Sequence, residues 1–90
     1  MSEVAKPEAL AARGGLWLRS GRLEIHLGVD DAFHPATKAH PGILVDDLDA
    51  VGTRLVAAGV RVTWDDLFPG HRRFYTTDPV GNRLEFLIPT

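Results

Sequence analysis

The most constraining feature of this chain is that a single amphipathic helix must serve a whole sheet. Leu48, Val51, Leu55 and Ala58 recur at helical spacing and form one apolar stripe. Asp46-Asp47 offers an N-cap, Asp49 puts negative charge in the first turn, and Gly59 provides a left-handed stop. Around this helix lie segments with the period of strands: Gly42-Ile43-Leu44-Val45 before it, then Val60, Val62 and Trp64, residues 71–77, and the row Leu84, Phe86, Ile88. The order over residues 40–90 is therefore strand, helix, strand, strand, strand, and the class is α+β. The helix needs an apolar sheet face, which Ile43, Val45, Phe74, Leu84, Phe86 and Ile88 supply. Strand parity sends His40, Arg73, Tyr75, Arg83 and Glu85 to the opposite face. Charged side chains on an uncovered face predict a lined cavity rather than a second core.

The first third of the chain is read less completely. Residues 2–6 suit a short strand, and residues 8–13 a helical turn that Gly14-Gly15 ends. Leu16-Trp17-Leu18-Arg19 then meets Ser20-Gly21, a turn dipeptide, and Arg22-Leu23-Glu24-Ile25-His26-Leu27 alternates strictly. Leu23, Ile25 and Leu27 face one way; Arg22, Glu24 and His26 face the other. Residues 29–39 read as a connecting loop. A partial repeat links the two parts, since Gly21-Arg22-Leu23-Glu24 and Gly81-Asn82-Arg83-Leu84-Glu85 both follow a strand and open another.

Composition narrows the function classes. Ninety residues, 44% apolar, describe one small folded domain, and a monomer of this size buries only about 60–65% of its unfolded surface, so a partner subunit would help. Without cysteine there is neither a disulfide framework nor a thiol nucleophile. Ten basic and twelve acidic residues leave no basic footprint for nucleic acid. No apolar run is long enough for a membrane span or a signal peptide, so a cytoplasmic location is expected. Ser2 and Ser20 stand outside any nucleophilic triad pattern, and no glycine-rich phosphate loop opens a helix.

The run Asp78-Pro79-Val80-Gly81-Asn82-Arg83-Leu84-Glu85, placed after strand, helix and strands, resembles the C-terminal signature of the vicinal oxygen chelate superfamily, the glyoxalase, bleomycin-resistance and extradiol-dioxygenase proteins. His40 before Ile43-Leu44-Val45-Asp46-Asp47-Leu48 and Ala57-Ala58-Gly59-Val60 fit the same pattern. The resemblance spans residues 39–89 and, more loosely, 16–27. It implies βαβββ modules that form a cup-shaped mixed sheet, here with residues 1–28 as a partial first module lacking its first strand and helix, 29–39 as the connection, and 40–90 as the second module. Further implied is a ligand from the first and last strand of each module. His40 and Glu85 would then serve the second module and Glu24 the first, with the fourth ligand lacking a counterpart. His26 also faces the cup by parity and is an alternative to Glu24.

Two carboxylates and an imidazole suit a divalent ion of the Zn, Mn, Fe, Co or Ni group. Such an ion would polarise a substrate oxygen, and Glu24 or Glu85 could act as base in a lyase, isomerase or dioxygenase reaction on a small oxygenated molecule. Against this stands the simpler reading, in which each carboxylate pairs with one of Arg22, Arg73 and Arg83. A second function class is a non-catalytic, drug-sequestering binder, with Trp17, Arg73, Tyr75 and Arg83 lining a cleft that Trp64 could join. A plain ferredoxin-like association domain would share the βαββ order but would not explain residues 78–85. A homodimer, with elements paired or exchanged between chains, is expected to cover exposed edge and apolar face.

Overall fold

In the computed structural model, which describes residues 1–90, the strands sort into two sheets. They belong to two units, Met1–Phe33 and His34–Thr90. The first unit contains β1 (Ser2–Val4), α1 (Glu8–Ala11), β2 (Leu16–Ser20) and β3 (Leu23–Leu27), with an antiparallel sheet of order β1-β2-β3. The β2–β3 turn falls one residue later than the sequence suggests. Gly21 and Arg22 are its central residues, and Gly21 takes φ +58°, as the first position of a II′ hairpin requires. Register places Trp17 opposite His26 and Arg19 opposite Glu24 on one face, and Leu18 opposite Ile25 on the other.

The second unit is the βαβββ arrangement expected of it: β4 (Gly42–Leu44), α2 (Leu48–Ala57), β5 (Thr63–Asp65), β6 (His71–Thr77) and β7 (Arg83–Pro89). The strand order is β4-β7-β6-β5, with β4 parallel to β7 and the remaining pairs antiparallel. The helix starts where its cap is. Asp47 accepts the Ala50 amide proton at 3.0 Å, and Gly59, at φ +81°, closes a Schellman end in which the Gly59 and Val60 amides donate to the carbonyls of Val56 and Leu55.

Leu48 and Phe74 are fully buried and centre the core between α2 and the sheet. The stripe differs from the sequence pattern at one end. Ala58 is the exposed C-cap, whereas Gly52 is buried. A Cβ on Gly52 would sit 3.4 Å from Phe74 and 3.5 Å from Trp64, so the helix lies close on these rings with room for a methyl group and nothing larger. Strand β5 also starts later than Val60. The carbonyl of Arg61 accepts the Thr76 hydroxyl at 2.8 Å in place of a ladder bond. No helix is long and apolar enough to cross a membrane.

Candidate active site

The site-bearing face of the second unit is organised by the turn between β6 and β7. Asp78 accepts the amide protons of Val80 and Asn82 and the side-chain amide of Asn82, while Gly81 takes φ +93°. Burial works against the charge of Asp78, but the hydrogen bonds from Asn82, Val80 and Gly81 outweigh it and hold the carboxyl below its ordinary value. Asn82 also accepts the Ala36 amide proton at 3.0 Å. The amides of Arg83 and Glu85 donate to the carbonyls of Ala36 and Pro41 at 2.8 and 3.1 Å. This row of bonds fastens the loop before β4 along β7. It is how the Asp-Pro-x-Gly-Asn-x-Leu-Glu run brings His40 beside Glu85.

His40 Nε2 lies 2.8 Å from Glu85 Oε1, and its Nδ1 lies 2.8 Å from the Lys38 carbonyl. Both neighbours are acceptors. With Nδ1 beside the carbonyl, Nε2 is the ring atom that faces the carboxylate and could take a cation. Glu85 is 6% exposed, and its second oxygen accepts from Arg73 at 3.4 Å. Arg73 in turn pairs with Asp65 at 3.0 Å. Burial opposes the charge of Arg73, yet the two carboxylates hold its guanidinium above the ordinary value. The amide of Leu67 is the main influence holding Asp65 below its ordinary value; burial opposes it and Arg73 assists.

Tyr75 completes the face. Its ring meets His40 edge-on, with centroids 5.4 Å apart, and lies under Arg73 and Arg83 at 5.0 and 3.9 Å. His40, Arg73, Tyr75, Arg83 and Glu85 thus share the face that strand parity gives them. Trp64 does not join them. It pairs in register with Phe74 on the helix side, their ring centroids 5.1 Å apart, because its parity is that of Val60 and Val62.

The other predicted residues lie in the first unit. Trp17 stacks on His26 at 3.6 Å, and His26 Nε2 lies 3.0 Å from Glu24. Glu24 accepts from Arg19, the main influence holding its carboxyl below the ordinary value, with His26 second. The partner of Glu24 is thus Arg19 rather than Arg22. Trp17 and His26 border a cavity of about 240 Å³.

The sequence reading missed Asp65 as the partner of Arg73, and Arg61 and Thr63 as cup-face residues. The signal was the alternation Arg61, Thr63, Asp65, hidden by the apolar row Val60, Val62, Trp64 between them. For a divalent ion, His40 and Glu85 fit as two ligands. Their donor atoms are near enough to reach one ion, and the Nδ1 bond to a carbonyl is the usual support for an Nε2 ligand. Within this unit no third His, Asp or Glu joins them.

The model of the Glyoxalase/Bleomycin resistance protein/Dioxygenase superfamily matches residues 6–86. A glyoxalase family protein from Bacillus anthracis, known from its crystal structure, is 43% identical over 100% of this chain and 74% of its own, with a TM-score of 0.96. Two more distant structures share the fold. A glyoxalase family protein from Enterococcus faecalis is 22% identical over 98% of this chain and 75% of its own, with a TM-score of 0.67. Lactoylglutathione lyase from Agrobacterium tumefaciens is 23% identical over 93% and 72%, with a TM-score of 0.66. No protein with a curated description matches at a significant level. The α+β architecture, the motif on β7 and these similarities agree: the chain belongs to the Glyoxalase/Bleomycin resistance protein/Dioxygenase superfamily.

Proposed function

We infer that this chain is a cytoplasmic, metal-dependent lyase, isomerase or dioxygenase that acts on a small oxygenated substrate at the polar face of β4, β7, β6 and β5. The observation that carries the reading is His40, whose Nε2 faces a buried carboxylate while its Nδ1 is held by a carbonyl. His40 and Glu85 would hold the ion, and a second chain would complete the ligand set. When bound, the ion would polarise a substrate oxygen and acidify the adjacent C–H or O–H. Arg73 holds the second oxygen of Glu85, so that Oε1, where it is displaced from the ion, would be the base that takes a substrate proton. Tyr75 and Arg83 form one wall of this face.

Elemental analysis of protein purified without chelator tests this. A stoichiometric divalent metal, lost in both His40→Ala and Glu85→Ala, supports it. Wild-type protein that takes up no Zn, Mn, Fe, Co or Ni refutes it. One observation favours a second reading, a non-catalytic binder: Glu85 already has an ion-pair partner in Arg73, which it shares with Asp65. A metal-free protein that still binds small ligands on this face would establish that reading.

The chain is further proposed to work as a homodimer. On the apolar face of the β1-β2-β3 sheet, Leu23 and Leu27 are 39% and 42% exposed, and the four-residue α1 is too short to cover such a row. A monomer in sedimentation equilibrium at micromolar concentration would contradict this.

A further inference from the structure

Beside the His40–Glu85 pair, on the same face of the second unit, lies a cavity of about 310 Å³ bordered by Thr37, Arg61, Thr63, Tyr75, Thr77 and Arg83. Its two arginines differ from their neighbours. Arg72 and Arg73 each hold a carboxylate, at 2.9 and 3.0 Å. Arg61 and Arg83 have no carboxylate of their own unit within ion-pair distance. The guanidinium of Arg83 lies 3.9 Å from the centroid of Tyr75, which supports its flat side and leaves its N–H edge free to donate. Thr63 lies opposite Tyr75 in register and Thr77 opposite Arg83, so two hydroxyls face the same space. On this face three guanidiniums, Arg61, Arg73 and Arg83, stand against two carboxylates, Asp65 and Glu85. The uncompensated charge is positive and falls on the cavity side.

We propose that this cavity is an oxyanion subsite, in which Arg83 and Arg61 grip a carboxylate or phosphate group of the small molecule bound at the polar face. A planar fork of N–H donors matches either oxyanion two bonds at a time, and threonine hydroxyls supply further donors. The cavity has room for a small ligand only. Arg83 precedes Glu85 by two residues on one strand, a separation of about 7 Å. The ligand class is therefore a compact oxygenated molecule with an anionic group at one end and its reacting carbon a few bonds away, beside His40 and Glu85. This rests on the polar face being the binding site, but not on a metal being bound there.

The test is an NMR titration of chelator-treated, metal-free protein that follows the side-chain Nε–H signals of Arg61 and Arg83. The probes are inorganic phosphate, acetate and the neutral acetamide, at constant ionic strength set with sodium chloride. Saturable shifts of both signals with phosphate or acetate, and none with acetamide, are expected. Arg83→Gln should weaken the tighter anion at least about tenfold, and Arg83→Lys, which keeps the charge but loses the fork, should fall between. Tighter phosphate assigns a phosphorylated substrate, and tighter acetate a carboxylate. Shifts that acetamide reproduces, that do not saturate, or that survive in both Arg83 variants overturn the proposal. Because the protein is metal-free, a failure here is separate from a failure of the metal assay above.

Discussion

Asn82→Ala is the sharpest test of how the site is built. The side chain makes two bonds: it donates to Asp78 Oδ2 at 2.8 Å and accepts the Ala36 amide proton at 3.0 Å. A bond to a carboxylate contributes about 1.5–3 kcal/mol and a neutral one about 0.5–1.5. The Ala36 amide is near the surface and regains water, which places the expected loss near the low end, at about 2 kcal/mol. For a unit of this size the melting temperature should fall by about 10 °C. Urea unfolding followed by Trp64 fluorescence in a Trp17→Phe background reads this unit alone, since Trp64 packs on Phe74. Amide exchange should quicken at Arg83 and Glu85, whose bonds to Ala36 and Pro41 hold the loop.

The pH dependence adds an independent check. The folded-state value of Asp78 is depressed, so its contribution is present above the unfolded value, near 3.8, and is lost as pH falls through the folded value. Without Asn82 the folded value moves up toward 3.8, and the deficit of the variant should narrow as the solution is acidified. A variant within about 0.5 kcal/mol of wild type, or a deficit constant with pH, would refute the assigned role of Asn82.

Other substitutions probe the remaining elements. Gly52→Ala should be neutral or stabilise by up to about 1 kcal/mol, because helix propensity improves and the new methyl group meets Phe74 and Trp64 at 3.4–3.5 Å; Gly52→Leu should destabilise by about 1–3 kcal/mol, both read by urea unfolding. Asp47→Ala removes the cap bond to Ala50 and should lower stability by about 1 kcal/mol, with no change in ligand binding at the polar face. Phe74→Ala empties a position with no exposure and should cost about 3–5 kcal/mol; a smaller loss would mean that α2 settles into the gap.

What the sequence made legible follows the range over which each signal acts. Residues 22–27 and 48–59 carry their own periodicity, cap and stop, and β3 and α2 formed there. The run 78–85 needs only local bonds, and the turn it encodes is the one observed. Parity alone sorted His40, Arg73, Tyr75, Arg83 and Glu85 onto one face. Pairings between distant residues were not legible. Arg73 with Asp65, and Glu24 with Arg19 rather than Arg22, depend on strand register, which the sequence does not state. Gly52 carries no hydrophobic signal, although it is buried and leaves room for no more than a methyl group against Phe74 and Trp64. The size of Trp64 allows it to join a ligand-lining cleft, but its alternation with Val62 goes with the place it takes against Phe74.

The position of β7 between β4 and β6 has a consequence for when this site can exist. His40 and Glu85 are separated by 45 residues, and β4, which follows His40, runs parallel to β7, so no hairpin can bring them together early. A nascent chain holding β4, α2, β5 and β6 would have a gap where β7 belongs, and neither half of the site would have its partner. Such long-range closure is slow and arrives late in folding. Once β7 is inserted, the same strand completes the sheet, the loop fastening and the His40 contact together. Site occupancy should then report on folding as an all-or-none event, and a ligand of this face should protect the whole second unit from protease together.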